Sequence, residues 1–151
     1  MSTDTSRRSA PARRVVLAVV TTDVVDVQAH ARAVDDPAAG ATVTFAGVVR
    51  DHDGGRAVTG IEYVGHPTAP ALLEQVAADV AAAHPVDAVA VSHRLGPLAV
   101  GEVALAVAVS AAHRAEAFTA AAALVDEVKA RLPVWKRQEF GDGSDEWVAC
   151  P

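Results

Sequence analysis

The 151-residue sequence contains a single cysteine, Cys150, only two lysines and an aromatic content of 4%. One thiol cannot form an internal disulfide or a cysteine-based metal cluster, so a reducing cytoplasm is the expected setting. No apolar run approaches the roughly 20 residues that a membrane-spanning helix requires. Because hydrophobic residues still make up 51% of the chain, the composition is that of a folded domain whose core is built from small side chains.

Several motifs that carry common chemistries are also missing. There is no Gly-rich phosphate loop, no nucleophile-elbow motif and no Cys-x-x-Cys pair. The histidines show no metal-ligand spacing with one another or with an acid-rich motif (His30, His52, His66, His84 and His93). A formal net charge of −6 disfavours a general nucleic-acid binder. We therefore expect no metal, no cofactor, and neither nucleic acid nor membrane as a partner.

The chain divides into a short tail and one domain. Residues 1–14 are polar and carry four arginines, which we interpret as a disordered tail, and residues 15–151 form the domain. Alternating apolar residues and turn signals predict strands at 15–20, 41–50, 58–64, 86–95, 102–110 and 146–149. Helices are predicted from Thr22 or Asp23 to about 34, over 69–84 after Thr68, and over 111–132 after Ser110. This order predicts a single α+β domain with a mostly antiparallel sheet and two to three packed helices.

Lysine is rare enough to be informative, since the chain has 11 arginines but only Lys129 and Lys136. Lysine, unlike arginine, can lose its proton when desolvated and then act as a nucleophile or base. On the last predicted helix, Lys129 continues an apolar stripe formed by Phe118, Ala122, Val125 and Leu132. This spacing predicts partial burial and a lowered pKa for Lys129. The alternatives are chance lysine usage, a stem that packs while the ammonium reaches water, or pairing with Asp126.

Three further basic features suggest an anion site. Residues 129–137 contain four cations and no acid. With Ser110 as the cap, His113 and Arg114 fall in the first turn of the last helix, where cations oppose the helix dipole unless an anion binds among them. Arg50 ends a strand beside the Gly-rich turn at 51–56, a position suited to bidentate capture of phosphate or carboxylate. Solvated cations, with acids such as Glu116 neutralising the helix start, are the alternative.

With these residues in view, the chain resembles the molybdopterin synthase catalytic subunit family from about residue 15 to residue 149. The resemblance is carried by ordered stretches at suitable intervals: V-T-F-A-G-V-V-R-D-H (43–52), I-E-Y (61–63), S-H-R-L-G (92–96), S-A-A-H-R-A-E-A-F (110–118), V-K-A-R-L-P-V-W-K-R (128–137) and E-W-V (146–148). One departure is Gln138, which stands where an acid is common in the family.

The resemblance implies a sulfurtransferase of molybdenum cofactor biosynthesis with an α/β hammerhead-like fold. It implies that a small ubiquitin-like carrier ending in Gly-Gly inserts its terminal thiocarboxylate into a pocket. Two sulfurs then pass in turn to cyclic pyranopterin monophosphate, giving molybdopterin. The resemblance also implies a homodimer within a heterotetramer in which each copy binds one carrier.

The resemblance further implies roles for particular residues. Lys129 matches the pocket lysine expected to perform acid-base or acyl-transfer work, and Lys136 matches the one expected to orient the substrate. The substrate-binding set comprises these two lysines with Val48, Val49, Arg50, His113, Arg114, Arg137 and Gln138, and the pocket lining comprises Phe45 and Val125. Two rival classes are a non-catalytic module that binds a ubiquitin-like protein and an anion- or RNA-binding protein.

Overall fold

The structure is a computed structural model that describes residues 10–150. Residues 1–9 of the predicted tail, Pro151 and the side chains of Ala149 and Cys150 lie outside the described part. Within it, three helices and nine strands follow one another as β1 (Arg14–Thr21), α1 (Val27–Ala33), β2 (Ala41–Val48), β3 (His52–Asp53), β4 (Arg56–Gly65), α2 (Ala69–Ala83), β5 (Val86–Arg94), β6 (Gly96–Ala99), β7 (Val103–Ala111), α3 (Arg114–Arg131), β8 (Val134–Phe140) and β9 (Asp145–Cys150).

The strands form two sheets. The first sheet has the order β1-β5-β7-β2, in which β1 and β5 are parallel and the other neighbours are antiparallel. The second sheet has the order β3-β4-β8-β9, with β6 also paired to β4, and its pairs are antiparallel. The predicted α+β class, the mostly antiparallel pairing and the packed helices are thus confirmed.

The core forms where the helices cover the first sheet. Helices α2 and α3 pack on one face through Leu73, Val76 and Leu124, and α1 lies on the other side, where Val34 packs with Ala88 and Ala108. Because both faces are covered, every residue from Val86 to His93 is buried. None of the helices within residues 10–150 is long and apolar enough to cross a membrane.

Two predicted helix starts are wrong. Helix α1 begins at Val27 because the Asp26 carboxylate caps it, accepting hydrogen bonds from the backbone N–H groups of Gln28 (2.9 Å) and Ala29 (3.3 Å). Ser110 does not cap α3, because β7 continues through it and its buried Oγ donates to the Val34 carbonyl at 2.6 Å. His113, with an extended backbone, takes the capping position of α3 without a side-chain hydrogen bond.

The buried face of α3 also differs from the predicted stripe. Its buried residues are Ala117, Ala120, Ala121, Leu124, Val125 and Val128. The predicted stripe is therefore wrong at three positions: Phe118 is 61% exposed, and Ala122 and Lys129 are exposed as well. Half of the residues that α3 buries are small alanines, whereas the larger Phe118 faces outward. Lys129 consequently lies at the edge of the packed face.

Two residues of the predicted tail belong to the described fold. The Arg13 guanidinium donates hydrogen bonds to the carbonyls of Ala81 (3.0 Å), Ala82 (2.8 Å) and His84 (2.7 Å) at the end of α2. Such bonds satisfy carbonyl groups that have no partner within the helix. Arg14 is the first residue of β1 and pairs with Asp36 at 3.1 Å.

The packing predicts that truncating two side chains on α3 lowers the free energy of unfolding by different amounts. Leu124→Ala is expected to lower the free energy of unfolding by about 2–5 kcal/mol because it leaves a cavity in the core. Phe118→Ala is the matched control, with an expected cost below about 1 kcal/mol because the ring is mostly exposed. Urea unfolding followed by circular dichroism measures both. Equal losses would contradict this orientation of α3.

Candidate functional site

A cavity of about 330 Å³ lies between the second sheet, the end of α3 and the ends of β2 and β5. We call it the basic pocket. Its walls come from six strands, the segment after β2 and the carboxyl end of α3, so residues distant in the sequence meet there. The lining residues are Phe45, Gly47, Val48, Val49, Arg50, His52, Asp53, Val58, Ile61, Tyr63, His93, Ala104, Leu105, Val128, Lys129, Leu132, Val134, Lys136 and Gln138.

Three cations of the pocket come from three different parts of the chain. Lys129 belongs to α3, Lys136 to β8 and Arg50 to the segment that follows β2. Among the described residues, neither lysine forms an ion pair or a hydrogen bond with a protein group. Two primary amines and a guanidinium therefore face one cavity, with both amines available to a ligand.

Lys129 lies at the mouth of the pocket and is exposed, so the predicted partial burial is wrong in the isolated chain. Its neighbours Val128 and Leu132 take the buried positions, at 2% and 5% exposure. This agrees with the alternative in which the stem lies against the fold while the ammonium reaches water. Lys136 is half-buried and lies deeper in the same pocket.

Asp53 is the carboxylate among the lining residues, and it pairs with Arg50 at 3.1 Å. A hydrogen bond from the Gln138 side chain, followed by the hydrogen bond and charge of Arg50 and the charge of Lys136, holds the pKa of Asp53 below its usual value. Asp53 thus remains ionised and neutralises one of the three cations. The pocket keeps an excess of two positive charges, which suits an anionic ligand.

Residue alternation along β8 determines which side chains enter the pocket. Val134, Lys136 and Gln138 point inward, whereas Trp135 and Arg137 lie on the other face of the strand. Gln138 is only 3% exposed, and its Oε1 atom lacks a hydrogen-bond partner within the described residues. β8 itself was absent from the sequence prediction, so the separation of Lys136 from Arg137 could not be anticipated.

His93 is a pocket residue that the sequence analysis did not assign. It is 6% exposed at the end of β5, its Nδ1 lies 2.9 Å from the carbonyl oxygen of Arg94, and its ring packs edge-on with Tyr63 at 5.1 Å. Desolvation by burial lowers its pKa below 6.5, the charge of Lys129 acts in the same direction, and the hydrogen bond to Arg94 opposes them. A histidine that follows the apolar run 88–91 near the end of β5 was the available signal.

Four residues predicted for the site lie outside the basic pocket. Arg137 instead binds the carboxylates of Glu62 (3.5 Å), Glu139 (2.9 Å) and Asp145 (3.1 Å) on the opposite face of the second sheet. Val125 lines a neighbouring cavity, which we call the apolar groove and which shares Phe45 with the basic pocket. The groove is lined by Val43, Thr44, Phe45, Phe118, Ala121, Ala122, Val125 and Asp126.

His113 and Arg114 are the other two, and both are exposed at the start of α3. Lys129 lies 15 positions after Arg114 on α3, which corresponds to about 22 Å along the helix axis at 1.5 Å per residue. Neither His113 nor Arg114 is among the residues that line the basic pocket. Within one chain, this pair and the lysine pocket are therefore separate.

Comparisons with known proteins agree with the resemblance described above. Residues 20–131 match the family described as MoaE protein. The chain is 41% identical over 122 residues to a molybdopterin synthase catalytic subunit of a Nostoc species, covering 80% of this chain and 73% of that protein. It is 46% identical over 112 residues to the Aspergillus clavatus protein of the same name, covering 74% of this chain and 57% of the relative. Among solved structures, molybdopterin synthase from Staphylococcus aureus superimposes with a TM-score of 0.80 at 26% identity, covering 88% of this chain and 96% of that one.

Because Lys136 and Arg137 lie on opposite faces of β8, neutralising each of them is expected to change phosphate affinity to a different extent. Lys136→Gln is expected to weaken the binding of inorganic phosphate about tenfold, because it removes one charge-assisted hydrogen bond from the pocket. Arg137→Gln is the matched control and is expected to change affinity by less than about twofold, since Arg137 faces away and partners carboxylates. Isothermal titration calorimetry at low ionic strength compares the two variants. Equal losses of phosphate affinity in the two variants would mean that phosphate does not bind preferentially on the face of β8 that lines the pocket.

Proposed function

This chain belongs to the MoaE protein family, and from that premise we propose that it is the catalytic subunit of a molybdopterin synthase. In this role it transfers sulfur from the terminal thiocarboxylate of a small ubiquitin-like carrier to cyclic pyranopterin monophosphate. The observation that carries the proposal is the meeting of Lys129, Lys136 and Arg50 in one pocket that otherwise contains a single carboxylate. The reaction belongs to molybdenum cofactor biosynthesis, requires no resident cofactor and takes place in the cytoplasm.

The three cations of the pocket have different roles in this reaction. Arg50 and the half-buried Lys136 lie where they can hold the phosphate, and Lys136 can stabilise negative charge that develops on the reacting groups. The backbone around Val48 and Val49 lines the same wall and contacts the ring of the substrate. Lys129, at the mouth, performs acid-base or acyl-transfer work at the terminal carbonyl of the carrier.

The apolar groove supplies a route for the carrier tail. It borders the basic pocket at Phe45, and its other lining residues are Val43, Thr44, Phe118, Ala121, Ala122, Val125 and Asp126. An extended Gly-Gly tail has no side chains, so its backbone can lie directly against the groove residues of β2 and α3. The tail then delivers its thiocarboxylate to the mouth of the pocket, where Lys129 lies.

The role of Lys129 is tested by substitution. Lys129→Ala is expected to reduce turnover at least about 100-fold, the lower range for loss of a general acid-base group. Lys129→Arg is expected to fail as well, because a guanidinium retains its proton. Turnover is measured as molybdopterin formed from the pterin precursor and thiocarboxylated carrier.

Carrier binding and thermal unfolding provide the controls, and both are expected to match the unsubstituted protein. Turnover by Lys129→Ala within a few-fold of the unsubstituted protein would remove this amine from the mechanism. Tight carrier binding by the unsubstituted chain without any turnover would instead favour the non-catalytic module.

The position of His113 and Arg114 leads to a proposal about the assembly. Arg114 lies about 22 Å along α3 from Lys129 of its own chain, neither residue of the pair lines that chain's pocket, and the predicted homodimer provides a second pocket. The pair at the start of α3 in one chain completes the anion site in the pocket of the other. Two chains and two carriers then make up the heterotetramer.

Subunit mixing distinguishes this arrangement from a site within one chain. Arg114→Ala and Lys129→Ala homodimers are each expected to have little activity, the first because substrate binding is weakened. In a mixed dimer isolated with two affinity tags, one pocket combines intact Lys129 with intact Arg114 of the other chain. About half of the unsubstituted activity should therefore return, since one of the two sites is whole.

Two results would contradict a site that is shared between the two chains. If both residues acted within one chain, every site of the mixed dimer would carry one substitution and activity would not return. If Arg114→Ala alone left the apparent affinity for the precursor unchanged, the helix start would have no part in binding. A dimer mixed from Lys129→Ala and unsubstituted chains serves as the reference for one active site.

A further inference from the structure

The inner surface of the basic pocket is rich in hydrogen-bond donors and short of accessible acceptors, since Oε1 of Gln138, although unpartnered among the described residues, is completely enclosed. Lysine and arginine side chains only donate, so Arg50, Lys129 and Lys136 offer no acceptor. The Asp53 carboxylate already accepts from Arg50 and Gln138. Such a set can hold a phosphate, but it would hold the phosphate of many compounds equally well. Recognition of a ring that carries N–H groups requires an acceptor.

His93 supplies an acceptor whose orientation is fixed by the backbone. A carbonyl oxygen only accepts, so the contact between Nδ1 of His93 and the Arg94 carbonyl at 2.9 Å requires the hydrogen to be on Nδ1. In the neutral ring, Nε2 must then carry the lone pair. The edge-on packing of Tyr63, at 5.1 Å between ring centroids, holds the plane of the imidazole.

The lone pair of Nε2 is available to a ligand. Within residues 10–150, Nε2 has no hydrogen-bond partner, and the atom is not completely enclosed by protein. Nε2 therefore borders open space, and the open space that His93 lines is the basic pocket.

The surroundings of His93 keep the ring neutral. Burial, aided by the charge of Lys129, holds its pKa below 6.5 despite the hydrogen bond to Arg94. The charged and titratable groups that share the pocket with His93 are Lys129 on α3, Lys136 on β8, Arg50 after β2, His52 and Asp53 on β3, and Tyr63 on β4. A protonated ring would add positive charge to this set and would convert Nε2 from an acceptor into a donor.

We propose that Nε2 of His93 is a specificity-determining acceptor that binds a ring N–H group of the phosphorylated heterocyclic substrate. The cations hold the phosphate and His93 selects the ring, so the two parts of the ligand are recognised by separate groups. The identity of the ring rests on the proposed function, whereas the position of the acceptor rests on the geometry of His93 alone.

Two substitutions separate this role from a structural one. His93→Phe keeps a planar ring but removes the acceptor, and it is expected to weaken binding of cyclic pyranopterin monophosphate about tenfold or more. His93→Gln places an amide oxygen near the position of Nε2 and is expected to stay within about threefold of the unsubstituted protein. Binding of inorganic phosphate is expected to change by less than about twofold in both variants, because the cations remain.

Calorimetry under anaerobic conditions measures the two ligands with each variant at one pH. Loss of pterin binding alone in His93→Phe, with recovery in His93→Gln, supports the proposal. Unchanged pterin binding in His93→Phe, or equal losses for pterin and phosphate, overturns it. If the unsubstituted protein binds phosphate but not the pterin, the proposed function itself is overturned. This result is distinguishable from a failure of the role of His93, in which the unsubstituted protein does bind the pterin.

The pH dependence gives a second readout. Because the pKa of His93 lies below 6.5, the acceptor is present at neutral pH and is lost as the pH falls through that lower value. The unsubstituted protein should therefore bind the pterin progressively more weakly on the acid side of pH 6.5. His93→Gln has no such titration and serves as the reference for every other titrating group. Identical pH profiles for the two proteins would contradict an acceptor role for Nε2.

Discussion

The site depends on how the carboxyl end of α3 is held against the rest of the fold. Val128 and Leu132 are buried, and the Leu132 N–H bonds to the Val128 carbonyl at 2.9 Å, which closes the last turn. Pro133 cannot continue the helix. Its carbonyl accepts from the His66 N–H at 2.9 Å, which fixes the start of β8 beside β4. The two lysines flank this corner, so packing and not charge brings them to one pocket.

The same pocket also shows where a protein can keep unpaired cations. Removing a charge from water without a partner costs several kcal/mol. Lys129, which has no ion-pair partner among the described residues, and Arg50, which pairs with Asp53, are therefore exposed at the mouth, and the unpaired Lys136 is only half-buried. The nearly buried positions are taken by His93 and Gln138, which can remain uncharged. A bound anion would change this balance, because it supplies the partner that makes desolvation of the cations tolerable. The exposed position of Lys129 in the isolated chain is consistent with a site that is completed by its ligands.

Much of the fold could be predicted, because β2, β4, β5 and β7 are apolar runs between turn residues and α2 follows a clear helical pattern. β8 was missed because its letters, V-W-K-R-Q-E-F, look like a charged segment after a proline. Its alternation makes sense only once Lys136 and Gln138 are seen to face a pocket and Arg137 to face three carboxylates. The cations themselves could be found from residue type and position. The acceptor at His93 could not, since its tautomer and burial are consequences of tertiary packing.

The two ends of α3 place cations in opposite relations to the helix dipole. Lys129 and Arg131 lie in the last turn, where the dipole favours positive charge, whereas Arg114 opens the first turn, where it opposes positive charge. Among the described residues, Arg114 has no ion pair to offset this cost, and His113 caps the helix without a hydrogen bond. A two-fold symmetric pair of chains uses the same surface on both partners. If the start of α3 reaches the other chain's pocket, the reverse contact must form as well, and one interface then completes both anion sites.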